Sequence, residues 1–176
     1  IYNSPVQRVI QSVEADLAVL KDRGFDTMEE VLLPWGGGLH AQLGLEIALR
    51  VARTTGATVN LLRVVRPDVD AEQEKAALAD TVTDLTGHDN NVRYLVQTSE
   101  SVTEGVEAAM AAANYDVVII GASREWSVRQ VLFGSIPDVV ADRADCSVLM
   151  VRRYVPDTLS TRAAEGVKRL KESVGL

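Results

Sequence analysis

The alternation of strand-length apolar runs with helical patterns restricts the fold of this chain more than any other feature. Runs rich in Val, Ile and Leu occupy residues 30–35, 57–65, 92–96, 116–120 and 147–151. Between these runs, apolar residues recur at helical spacing over about 39–54, 70–86, 101–113 and 135–144. Strands that are apolar throughout and separated by helices are typical of a parallel sheet covered on both faces. The sequence therefore predicts an α/β fold with a five-stranded, doubly wound parallel sheet.

Two further amphipathic patterns flank this core, one over residues 5–21 and one over about 157–173. The first has its apolar residues at helical spacing and ends at Asp22-Arg23-Gly24, which favours a helix. We therefore predict an N-terminal helical extension at 1–28, a core domain at 29–152 and a C-terminal helix at 153–176. The flanking helices either cover the core domain or mediate a dimer.

The charge and cysteine content exclude several classes of protein. The 176 residues carry a formal net charge of −7, which disfavours nucleic acids and anionic membranes as partners. The single cysteine, Cys146, excludes an internal disulfide and suits the reducing cytosol. No apolar run approaches the roughly 18 residues that span a bilayer, and no signal-peptide pattern opens the sequence. We expect a cytoplasmic protein without membrane insertion of this segment and, since His and Cys do not cluster, without a metal site.

Two glycine-bearing loops follow predicted strands and indicate a ligand site. Gly36 to Gly38 leave the first strand, and Gly121 begins the loop after the fourth. Open parallel sheets bind ligands beyond the carboxyl ends of their strands, where the two loops meet if these strands are neighbours. Gly134-Ser135 then opens a helix whose N-terminus attracts anions. The sequence predicts a phosphate cradle and hence nucleotide binding.

The same residues resemble the universal stress protein family over about 29–152. That family carries Gly-x2-Gly-x9-Gly-(Ser/Thr) after its fourth strand, and Gly121, Gly134 and Ser135 match it at the right spacing. The first strand, 31–35, and the closing strand, 144–151, also match. The resemblance implies the adenine nucleotide alpha hydrolase-like fold, with strand order 3-2-1-4-5 in the numbering of the five predicted strands.

The resemblance also implies a site for ATP or another adenine nucleotide, with magnesium accompanying ATP. The residues expected to form it are Pro34, Trp35, Gly36, Val64, Val65, Gly121, Ser123, Arg124, Gly134, Ser135 and Ile136. By analogy, Gly121, Ser123, Gly134 and Ser135 hold phosphate and ribose. The backbone near Val64 and Val65 lies beside the base.

Two positions depart from the family pattern. Arg124 replaces the middle glycine of the motif, and Gly36 stands where the family has an acid that helps to hold the adenosine. Three roles for Arg124 remain open: it grips a phosphate, it fills the space of the phosphate, or it is a solvated loop residue. The triple glycine either offers free amides in place of the acid or is a flexible turn.

The sequence thus favours a regulatory, nucleotide-sensing module of the stress response rather than an enzyme, because no general base is identifiable near the cradle. A weak ATPase activity is compatible with this prediction. Such domains occur alone or as cytosolic parts of bacterial amino-acid permeases and cation transporters, and residues 132–137 are similar to the appended kind. A start at Ile1 agrees with excision from a longer chain. The alternative is a nucleotide-free scaffold, and in both cases we expect a homodimer through the fifth strand.

Overall fold

A six-stranded sheet forms the centre of the computed structural model, which describes residues 13–24, 26–87, 91–123 and 135–156. The strands are β1 (Leu17–Lys21), β2 (Glu30–Pro34), β3 (Thr58–Val65), β4 (Val92–Thr98), β5 (Val117–Gly121) and β6 (Ser147–Arg152). The helices of the described residues are α1 (Gly38–Thr55), α2 (Ala71–Thr86), α3 (Val102–Ala112) and α4 (Ser135–Arg143).

The strand order of the sheet is β1-β6-β5-β2-β3-β4. The pairs β2–β3, β2–β5, β3–β4 and β5–β6 are parallel, in a sheet that is mixed but mostly parallel. The five predicted strands correspond to β2 through β6, so the predicted order 3-2-1-4-5 is confirmed. Because the order reverses between β2 and β5, the loops that follow these two strands leave the same edge of the sheet.

The first strand, β1, corrects one prediction. Residues 17–21, predicted as the end of a helix over 5–21, form a strand beside β6. A run of four apolar residues, Leu17 to Leu20, fits a helix or a strand equally well, and pairing with β6 decides between them. The rest of that predicted helix up to residue 12, and the predicted helix at 157–173, lie outside the described residues.

The chain divides into two compact units, Ala18–Arg152 and a second that combines Ile1–Leu17 with Arg153–Leu176. The larger unit contains the sheet core. In the described part of the smaller unit, the Asp16 carboxylate accepts a hydrogen bond from the Tyr154 amide at 2.8 Å and pairs with Arg153 at 3.6 Å.

Both faces of the sheet are covered by helices. On one face α1 and α2 pack on alternate strand residues, among them Val31, Leu33, Val59, Leu61 and Ile119. On the other face α3 contacts β3 and α4 contacts β6. The central strands β2 and β5 are therefore buried on both sides, as their uninterrupted apolar sequences predict.

Helix boundaries follow side-chain and glycine signals in the sequence. α1 ends at Gly56, whose φ of 80° lies in the left-handed region, and α3 begins with Ser101 accepting from the Glu104 amide at 3.5 Å. Asp70 caps α2 by accepting from the amides of Glu72 at 3.0 Å and Gln73 at 3.2 Å.

Removing the cap of α2 is expected to destabilise the fold measurably. Asp70→Ala leaves two amides of the first turn without their acceptor, so we expect the free energy of unfolding to fall by about 1 kcal/mol. Asp84→Ala, an exposed acid of the same helix with no bond to the described residues, is the matched control and should change it by less than about 0.5 kcal/mol. Urea denaturation followed by circular dichroism measures both; equal effects would show that the cap contributes nothing.

Candidate functional site

A cleft of about 360 Å³ lies at the carboxyl ends of β2, β3 and β5. Its volume falls within the range of small-molecule sites, about 300–1,000 Å³. The described residues that line it are Pro34, Trp35, Gly36, Gly37, Ala41, Leu62, Arg63, Val64, Val102, Val106, Ile120, Gly121, Ala122, Ser123, Ile136 and Pro137.

The cleft brings together most of the predicted site residues that the structure describes. Those that line it are Pro34, Trp35, Gly36, Val64, Gly121, Ser123 and Ile136. Val65 does not line the cleft and is buried, at 8% exposed. Ser135 is the exposed first residue of α4 and also lies outside the lining. Arg124 and Gly134 are outside the described residues, so their predicted roles stay predictions.

The first turns of three helices border the cleft. Gly37 precedes α1, Val102 begins α3, and Ile136 and Pro137 lie in the first turn of α4. No side chain caps the N-terminus of α1, and its first turn contains no acidic residue. Exposed amides and the positive ends of helix dipoles favour a negatively charged group at this end of the sheet.

The triple glycine is a specific turn between β2 and α1. Gly37 and Gly38 have φ values of 75° and 79°, which side chains other than glycine rarely adopt. Gly36, by contrast, is exposed, and an added Cβ there would meet no atom within 4 Å. A side chain at position 36 is therefore sterically allowed. The backbone does not require glycine in place of the acid of the family pattern.

Gly121 allows α1 to approach the end of β5. A Cβ on this residue would lie 2.7 Å from the carbonyl carbon of His40 and 2.8 Å from the amide nitrogen of Ala41. Both are backbone atoms that cannot move aside independently. Glycine here first serves packing, since it places the beginning of α1 against the cleft, while its backbone still lines the site.

Arg63 is a site residue that the sequence analysis missed. Its Nη1 donates to the carbonyl oxygen of Trp35 at 3.4 Å, and its Nε lies 3.5 Å from Oε2 of Glu74. Among the described lining residues it is the one with an ionised side chain. A charged residue between Leu62 and Val64, near the end of an otherwise apolar strand, is the signal that could have revealed it.

The Arg63 guanidinium stands beside the position of the missing acid. Its contact with the carbonyl of Trp35 places it next to Gly36, the residue that follows. The family pattern has a carboxylate near this place, whereas this chain has a guanidinium that is paired with Glu74 and donates to the Trp35 carbonyl. This inversion favours an anionic ligand.

Ser123 contributes a hydroxyl that lacks a partner. Its Oγ is buried and forms no hydrogen bond with the described part of the chain. Burying a hydroxyl without a partner is costly, and such groups often mark a binding site. Trp35, in contrast, is only 7% exposed and belongs to the core, with its amide donating to the Leu62 carbonyl at 2.7 Å.

Comparison with known proteins identifies the family. The profile of the universal stress protein family matches residues 27–152, which is most of the chain. The chain belongs to the universal stress protein family. No curated protein sequence matches it significantly.

Solved universal stress proteins share this fold at low sequence identity. UspA from Lactobacillus plantarum is 19% identical with a TM-score of 0.59, and the match covers 73% of this chain and 100% of that one. A universal stress protein in complex with cAMP is 13% identical with a TM-score of 0.56, covering 71% and 97%. An Arabidopsis thaliana family member with AMP bound is 12% identical with a TM-score of 0.52, covering 73% and 94%.

The homodimer predicted through the fifth core strand depends on where that strand lies in the sheet of this universal stress protein domain. That strand is β6, and it lies between β5 and β1 rather than at the edge of the sheet. Its backbone groups on the side away from β5 are engaged by β1, because neighbouring strands share hydrogen bonds. A homodimer stays a prediction, but β1 already pairs with the edge of β6 through which the two copies were expected to associate.

The remaining candidate groups lie away from the cleft of this universal stress protein. Cys146 lies beyond the opposite ends of the strands, just before β6, and is half-buried. Burial raises the pKa of its thiol, with the carboxylates of Asp145 and Asp116 acting in the same direction, so the thiol is protonated at neutral pH.

The described residues contain no group of three or more His, Cys, Asp or Glu able to hold a metal. None of the described helices is both long and apolar enough to cross a membrane.

Proposed function

We propose that this universal stress protein domain is a regulatory module that binds an adenine nucleotide, ATP or AMP, in the cleft between β2 and β5. The observation that carries the proposal is the convergence at one cleft of three helix N-termini, the glycine turn and the cation of Arg63. The family members solved with cAMP and with AMP share the fold, which supports an adenine nucleotide as the ligand class.

The lining divides into parts that suit the two ends of a nucleotide. Leu62, Val64 and Val106 provide apolar wall for a base, while the helix N-termini and Arg63 attract phosphate. Ser123 offers its unpartnered hydroxyl to a ribose or phosphate oxygen. With ATP, magnesium would arrive on the phosphates, because the described lining supplies no carboxylate of its own.

Binding without efficient turnover is part of the proposal. The described lining contains no carboxylate, imidazole or thiol that could act as a general base. The link to a membrane transporter stays a prediction from the family resemblance. The nucleotide-free scaffold loses support, since the strand edge through which it would dimerise is paired with β1.

Calorimetric titration of the full chain with ATP, AMP, cAMP and adenosine tests the proposed function. We expect the anionic nucleotides to bind, and Arg63→Gln to weaken them about fivefold while adenosine changes little, because a charge-assisted hydrogen bond at a half-exposed site contributes about 1 kcal/mol. Arg50→Gln is the control, because it removes the same charge from an exposed arginine of α1 that lies outside the cleft lining. No heat with any nucleotide at millimolar concentration contradicts the proposal. Equal losses of nucleotide affinity in the two variants would mean that Arg63 does not contact the nucleotide.

A further inference from the structure

The guanidinium of Arg63 is shared between the cleft and the helix α2. Its Nη1 donates to the Trp35 carbonyl at 3.4 Å, and its Nε lies 3.5 Å from Oε2 of Glu74, in the first turn of α2. The bond to Trp35 holds the guanidinium at the cleft, whereas Glu74 is not among the described residues that line it. The cation that the cleft offers to an anionic ligand is therefore already paired with an anion of the protein.

The backbone of α2 fixes the place of Glu74. Asp70 caps this helix, and its carbonyl accepts from the Glu74 amide at 3.0 Å. The neighbouring charges after β3, those of Arg66 and Asp68, pair with each other at 3.5 Å. In the part of the chain that the structure describes, Arg63 and Glu74 thus have only each other as ionic partners.

The pair between Arg63 and Glu74 is suited to exchange for a better partner. The two side chains are 37% and 34% exposed, and ion pairs at such positions contribute little to stability. Their separation of 3.5 Å also exceeds the roughly 2.7–2.9 Å of a charge-assisted hydrogen bond. A phosphate carries more charge than a carboxylate and can accept two parallel bonds from a guanidinium. Phosphate is therefore the stronger partner for Arg63.

We infer that Glu74 is an intramolecular counter-anion that a bound nucleotide displaces from Arg63, so that Glu74 lowers the affinity of the cleft for phosphate-bearing ligands. The inference rests on the proposed function, because it needs a nucleotide phosphate beside Arg63. The Trp35 carbonyl keeps the guanidinium at the cleft while the Glu74 side chain turns away. The exchange can therefore take place by side-chain rotation.

Glu74 would also determine selectivity among ligands that carry the same base. Its carboxylate repels a phosphate that approaches Arg63 and competes with it for the same donors. A neutral nucleoside neither displaces this carboxylate nor is repelled by it. Neutralising Glu74 should therefore tighten the binding of ATP and AMP and leave that of adenosine unchanged.

Calorimetric titration of the full chain with ATP, AMP and adenosine tests the inference. Glu74→Gln removes the charge and keeps the size of the side chain. Glu72→Gln is the matched control, because it removes the same charge from an exposed position in the same turn of α2. Both substitutions are also made together with Arg63→Gln, which removes the partner that Glu74 is inferred to act through.

We expect Glu74→Gln to tighten ATP and AMP about threefold relative to Glu72→Gln, and to leave adenosine unchanged. This gain should disappear when Arg63 is replaced by Gln. The NMR signal of the Arg63 Nε–H group provides a second measurement. It should shift when the wild-type chain is saturated with ATP, because its acceptor changes from carboxylate to phosphate, and a merely structural role for Glu74 would not produce this shift.

Four results would overturn the inference while ATP binding itself persists. They are equal effects of Glu74→Gln and Glu72→Gln, weaker ATP binding by Glu74→Gln, a gain that survives Arg63→Gln, and an Arg63 Nε–H signal that ATP does not move. Weaker binding would mean that Glu74 orients Arg63 for the ligand instead of competing with it. Absence of ATP binding by every one of these chains would overturn the proposed function, and this inference with it.

Discussion

Replacing Gly121 by alanine is expected to lower the free energy of unfolding by about 2–3 kcal/mol, the cost of overpacking a tight backbone contact. The new Cβ would lie 2.7 Å from the carbonyl carbon of His40, within the first turn of α1. Relief requires α1 to move away from β5, against which it packs. Urea denaturation monitored by circular dichroism measures the loss.

Gly36→Ala is the matched control for this prediction. Both glycines line the cleft at strand ends, but an added Cβ at Gly36 meets no atom within 4 Å. We expect this variant to be as stable as the wild type or up to about 0.5 kcal/mol more stable, because alanine restricts the unfolded chain. If both substitutions lower the free energy of unfolding equally, the close approach of α1 to β5 is not the reason that position 121 requires glycine.

A negative charge at Val102 is expected to reduce ATP affinity at least tenfold, on the order of 1.4 kcal/mol or more. Val102 is 49% exposed, lines the cleft and is the first residue of α3. Glutamate is compatible with the first turn of a helix, so Val102→Glu should fold normally. Its carboxylate would repel phosphate groups held in the cleft, and calorimetry would detect the weaker binding.

Three comparisons make the Val102 prediction specific. Leu85→Glu adds the same charge to an apolar residue of α2 that is 47% exposed and outside the cleft lining, and it should leave ATP affinity unchanged. Val102→Lys should tighten ATP binding, and adenosine should respond weakly to either charge because it is neutral. Equal losses in Val102→Glu and Leu85→Glu would mean that the nucleotide does not bind in this cleft.

Much of the fold follows from local signals in the sequence. Apolar runs define β2 through β6, and their parallel order follows from the helices between them. The boundaries at Asp70, Ser101 and Gly56 follow from capping chemistry. β1 could not be assigned in this way, because the apolar run Leu17 to Leu20 fits the spacing of a helix and of a strand equally well. It forms a strand because it pairs with β6, which lies more than a hundred residues further along the chain.

The site was predictable only in part, for reasons of register and distance. The loops after β2 and β5 meet as the topology requires, and Gly36, Gly121 and Ser123 line one cleft. Val64 lines the cleft and Val65, the next residue, does not, although both were predicted to lie beside the base. The packing role of Gly121 and the contact of Arg63 with the Trp35 carbonyl depend on tertiary distances that no sequence pattern specifies.

The most direct test of nucleotide binding in the cleft is an NMR titration of the full chain with ATP, with the backbone amides assigned. We expect saturable shifts at Gly36, Gly37, Val102 and Ser123, which line the cleft, and none at Cys146, which lies beyond the opposite ends of the strands. No shift at millimolar ATP, or shifts confined to the region of Cys146, would contradict it.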